Sequence, residues 1–216
     1  MAGASTNRFG GNALLGGGIL FTVALGLHPN VSTLELANAA APGLWAFVHW
    51  AYLIGDVLLI AGLLTLFRHV AASSGGSNEG WGAVALAGGM MGFTLDAAST
   101  GIHMASFPPA MPASTPNLQN IYDAASAVNT GIGNAGYLTA CLGLVVLGTV
   151  LKKEGWPAAV ALGAIAVGCI EILLSLYVQV TGSALIPAGT AALAVNALMP
   201  VWYAVVGASF AKVAAT

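Results

Sequence analysis

Charge is what this sequence has least of. Only 6% of its 216 residues are Asp, Glu, Lys or Arg, where an ordinary soluble domain carries about a quarter. The five basic residues form no stripe that could follow a phosphate backbone, so nucleic acid is excluded as a partner. Cysteine is scarce too. Cys141 and Cys169 stand alone in apolar runs, which leaves neither a disulfide framework nor a CxxC metal pair and casts both as small packing residues. No HExxH fixes a zinc site. The strand-like alternation of a membrane β-barrel is missing as well.

What is there is apolar: 58% of the chain is hydrophobic. The apolar runs fall at about 12–28, 44–67, 81–106, 124–151, 156–181 and 188–213, each about long enough to cross a hydrocarbon core as a helix. Backbone polar groups in lipid must be satisfied within their own segment, so such runs are helices. The sequence therefore predicts an all-α, polytopic helix bundle of six transmembrane helices, with residues 1–216 forming a single integral membrane domain. Loops are predicted at 29–43, 72–80, 107–122, 152–155 and 182–187. Arg8 ahead of the first run resembles the start of a signal peptide, and the small residues at 37–41 resemble a cleavage site. They lie more than ten residues past the apolar stretch, so the run is expected to stay as a first span.

Orientation follows from the basic residues. Arg8 precedes the first span, Arg68 follows the second, Lys152 and Lys153 follow the fourth, and Lys212 closes the sixth. All share one side, which predicts both termini in the cytoplasm and a multi-pass protein of the cell inner (plasma) membrane, with the lipid bilayer as its first partner. Trp45, Trp50, Trp81, Trp156 and Trp202 lie mostly near span ends, as an aromatic belt would place them. Gly16 to Gly18, the Gly88–Gly92 GxxxG pair, and Gly131, Gly133 and Gly136 are read as close helix packing, with a flat cofactor against bare backbone as the alternative. A faint repeat, Gly26-Leu27-His28 against Gly101-Ile102-His103, is too short to carry weight.

Inside the spans lie three acids, Asp56, Asp96 and Glu171, and not one Lys or Arg. Ionisable groups at membrane depth are costly and mark functional sites. Without a basic partner each is expected to be protonated, hydrogen-bonded to His or Asn, or ligating something. His49 and Asp56 stand seven residues apart on one helical face, as do Asp96 and His103, with Tyr52 and Thr100 between them, so each acid lies roughly 10 Å below its histidine. Ser175 and Gln179 share the face of Glu171, and Asn196 and Pro200 lie in the last span. Two layers are predicted in one polar interior: an outer one of His28, His49, His103 and Asn129, and a midplane one of Asp56, Asp96, Glu171 and Asn134. A lone membrane His or Asn can equally be interhelical glue. His69, beside Arg68, is read as interfacial.

Such a site supports several chemistries. His49 and His103 could ligate a b-type haem on neighbouring helices, with the carboxylates as catalytic or relay groups toward quinone or another small substrate. His28, His49 and His103 could instead bind a transition metal, Cu or Zn, with Met104 and Met111 nearby to suit copper. A haem or metal redox and electron-transfer protein is the reading preferred. The alternatives are a proton-coupled solute or ion transporter through Asp56, Asp96 and Glu171, in which a homo-oligomer would make up for the short chain, and an accessory subunit without chemistry.

Overall fold

A computed structural model describes residues 2–29, 31–73, 78–107, 111–181 and 196–213. Every regular element among them is an α-helix. In chain order they are α1 (Ala2–Leu27), α2 (Leu34–Ala39), α3 (Pro42–Ser73), α4 (Glu79–Ser106), α5 (Leu118–Lys153), α6 (Ala158–Thr181) and α7 (Leu198–Val213). The predicted 182–187 loop and the first eight residues of the predicted last span lie outside the described residues.

Four helices are long and apolar enough to cross a membrane, over Ser5–Leu27, Pro42–Ser73, Leu118–Lys153 and Ala158–Thr181, and they mark a membrane protein. α4 has the length, but its glycines, Glu79 and Asp96 dilute its hydropathy. The 16 described residues of α7 are too few for a span.

The long helices outrun the apolar runs that predicted them. α1 starts ten residues before position 12 and α3 continues to Ser73, six past position 67. Apolar runs report the hydrocarbon core alone, whereas a helix continues into the interface wherever its backbone bonds can still form. What stops α5 is local: Gly155 adopts φ 75°, its N–H donates to the Lys152 carbonyl (3.2 Å) and the Trp156 N–H to Leu151 (3.0 Å). This is the αL glycine stop of a Schellman motif, and it turns the chain back within a few residues.

The long helices pack as a closed ring in chain order. α1 lies against α3, α3 against α4, α4 against α5, α5 against α6, α6 against α7, and α7 returns to α1. Neighbours run antiparallel, since Phe21 meets Tyr52 while Gly10 meets Thr65, and Gly11 meets Ala211 while Gly18 meets Pro200. Small residues set the spacing: a Cβ built on Gly143 would stand 2.6 Å from the Gly89 nitrogen, and one on Gly92 2.6 Å from the Ala140 nitrogen. The Gly88–Gly92 pair is thus an α4–α5 packing seam. Ring order and alternating direction together bring Arg8, Arg68, Lys152, Lys153 and Lys212 to one end of the bundle. The opposite end carries the three clustered histidines.

Candidate metal centre

Three separate pieces of chain deliver those histidines. His28 follows the end of α1, where the backbone leaves the helix before Pro29. His49 sits in the second turn-pair of α3, and His103 lies in the last turn of α4. Because α3 runs antiparallel to both α1 and α4, all three meet at one level. One nitrogen of each lies within 4.8 Å of the others, and among the described residues this is the group of His, Cys, Asp or Glu close enough to share an ion. Their ring centroids form a nearly equilateral triangle of 5.2, 5.5 and 5.8 Å.

Hydrogen bonds orient the rings. His49 is 1% exposed, and its Nδ1–H donates to the Trp45 carbonyl one turn back (2.7 Å), leaving a buried Nε2 without a partner. His28 likewise gives its Nδ1–H to the Pro29 carbonyl at 2.8 Å, which leaves Nε2 as its lone-pair nitrogen. That is the arrangement in which ligating histidines are usually held. At His103 the Asn129 amide of α5 donates to Nε2 (2.7 Å) and accepts from the Ser99 hydroxyl (2.6 Å).

Aromatic side chains close the surroundings. Trp45, 3% exposed, lies 4.1 Å from the His49 ring and 5.8 Å from each of the other two. Phe107 stands 4.4 Å from His103 and joins Trp45, Tyr122, Ala37 and Ala40 in a small apolar cluster. Helix α2 contributes Ala37 to that cluster and is held in shape by Thr33, whose side chain caps the Leu36 N–H. Tyr122 ties the cluster down by donating to the Val31 carbonyl. Val31 and Leu34 pack against its edge.

A haem does not fit here. A macrocycle ligated by His49 and His103 must lie between their rings, in the plane equidistant from both. His28 stands in that space, 5.2 Å from one ring and 5.8 Å from the other. A single ion suits the trio better: the point equidistant from the three centroids is about 3.2 Å from each, and the ligand nitrogens, up to 4.8 Å apart, would turn inward to about 3.5 Å to share one metal at bonds of about 2.0 Å.

The acids form two groups, so the predicted single polar interior is divided. Tyr52 lies below the histidines, its ring 6.2 Å from His28 and 6.5 Å from His49. It interacts electrostatically with Asp56 and Asp96, which also interact with each other across the α3–α4 seam. Asp56 is 1% exposed and neither of its oxygens has a partner. Glu171 is buried elsewhere, between α5 and α6, facing Tyr137 and Cys141. Asn134, Gln179 and Asn196 are exposed, not buried in the interior expected for them. The Asn7 amide donates to Nδ1 of His69 (3.0 Å) at the basic end. Sequence reasoning placed Trp45 only in the aromatic belt and missed Ser99; the i, i+4 spacing of Trp45 and His49 was the available signal.

No protein-family model, curated protein or solved structure matches this chain. Function is therefore argued from the site.

Proposed function

We propose that the chain is a multi-pass protein of the plasma membrane whose outer face holds one transition-metal ion on His28, His49 and His103 for electron transfer. Six spans with both ends in the cytoplasm complete the reading: α4 and α7 belong to the same ring as the four apolar helices, and the basic residues gather at the end away from the histidines. The observation that carries the proposal is the buried Nε2 of His49, aimed among two other imidazoles with its opposite nitrogen fixed on a carbonyl. Interhelical glue alone would not leave that nitrogen bare. His28 and His49 would ligate through Nε2. A half-turn of the Asn129 amide would let His103 donate from Nε2 and ligate through Nδ1. Tyr52, Asp56 and Asp96 below would move the protons that accompany electron transfer.

Elemental analysis of protein purified without chelators tests this. About one Cu per chain is expected, lost in His28→Ala, His49→Ala and His103→Ala alike, whereas Zn in its place would keep the metal centre and remove electron transfer, because Zn(II) has no redox chemistry. Metal-free protein that takes up neither ion would overturn the reading. Asp56, buried with both oxygens bare, favours a second one: proton-coupled transport through the Asp56–Asp96 pair.

A further inference from the structure

We infer that the ion suited to this centre is monovalent copper, Cu(I), and that Trp45 selects it by roofing the histidine triangle. The inference rests on the metal-centre reading and goes on to name the ion and the residue that discriminates.

Geometry comes first. The three Trp45 distances, 4.1 Å to His49 and 5.8 Å to both His28 and His103, place the indole over one face of the triangle and not in its plane. From the point equidistant from the histidines the indole centroid is about 4.3 Å away, inside the roughly 6 Å reach of a cation–π contact. Trp45 is itself buried, with Phe107 stacked 6.3 Å away at an interplanar angle of 23°, so it cannot swing outward without emptying the apolar cluster.

Donor chemistry comes second. The trio offers three neutral imidazoles, and no Cys, Asp or Glu among the described residues joins it. Zn(II) wants four ligands, the fourth being water or a further side chain, and here the outward position belongs to an indole that offers no lone pair. A divalent ion would also bring one more positive charge than Cu(I) into a site whose own ligands are neutral. Three-coordinate binding is what the imidazoles provide, with the Trp45 indole above the triangle and Tyr52 below it. Imidazole by itself accepts either metal, so discrimination must come from coordination number and charge.

The test uses full-length protein in detergent, handled without oxygen, with Cu(I) and Zn(II) titrated separately against competing chelators. Trp45→Leu is expected to weaken Cu(I) binding by at least about tenfold. Zn(II) binding should hold or rise in the same variant, since the space opened admits a water ligand. Trp45→Phe, which keeps an aromatic face and guards against a folding defect in the leucine variant, should fall between wild type and Trp45→Leu for Cu(I). In a background with the other four tryptophans changed to Phe, Cu(I) should quench the Trp45 fluorescence. If Trp45→Leu weakens both ions equally or neither, or if Zn(II) binds the wild type more tightly than Cu(I), the inference fails while the metal centre stands. If the wild type binds neither ion, the metal-centre reading fails with it.

Discussion

His49 gives one nitrogen to a carbonyl of its own helix and presents the other, buried and bare, to two further histidines. The same logic extends outward to Asn129 and Ser99, which set the ring of His103. Asn129→Ala should leave all three histidines in place yet weaken metal affinity by about 10- to 100-fold, as removal of outer partners generally does. Isothermal titration of the variant checks this, and unchanged affinity would mean that Asn129 is glue. Asp56 makes the opposite case. A buried carboxyl with neither oxygen paired costs stability, so Asp56→Leu should unfold at a higher temperature in detergent, by a margin of about 1–3 kcal/mol. A lower melting temperature would reveal an ion or water held there. The histidines and acids were legible in the sequence because ionisable residues stand out against apolar runs. Asn134, Gln179 and Asn196 were misread because a span faces lipid on one side and protein on the other, so hydrophobicity does not tell the two faces apart.

At the scale of elements, the all-α class and the order of the long helices were legible from the runs, whereas the short α2, inside the predicted 29–43 loop, and the helix ends were not. The αL stop at Gly155 is a local backbone event that the run length cannot report, although Gly in the short 152–155 segment was its trace. Glycine content likewise announced close packing without saying which glycines take part. Gly143 and Gly101 separate the two kinds. A Cβ at Gly143 would meet the α4 backbone at 2.6 Å, while one at Gly101 meets nothing within 4 Å. Gly143→Val should therefore prise α4 from α5 and lower the melting temperature, at a cost of about 1–3 kcal/mol, and Gly101→Ala should be neutral or slightly stabilising. Thermal scanning of the two variants side by side checks the pair. Equal behaviour would deny the glycine seam. The seam also bears on the site, since Gly136 and Gly133 on α5 bring that helix against Asp96 and Ser99 of α4, close to where Asn129 reaches His103.

For the whole molecule, ring closure is what the sequence could not supply. Loop lengths make neighbours in chain order antiparallel, but nothing in them tells that α7 returns to α1, or that Glu171 lands on a different seam from Asp56 and Asp96. Closure puts basic residues at one end and histidines at the other, so the metal centre is expected to face away from the cytoplasm. With Cys141 and Cys169 replaced by Ala, Ser114→Cys at the histidine end should react with an impermeant maleimide on intact cells, and Ser5→Cys at the basic end should not. Labelling of both from outside would invert or dissolve this orientation. The central claim, that His28, His49 and His103 together hold one ion, is tested most directly by X-ray absorption at the metal edge of purified protein. The expected spectrum has three nitrogen neighbours at about 2.0 Å with imidazole back-scattering, and the metal-edge signal should be lost in each single His→Ala variant. A first shell of oxygen or sulfur, or one untouched by the histidine substitutions, would contradict it.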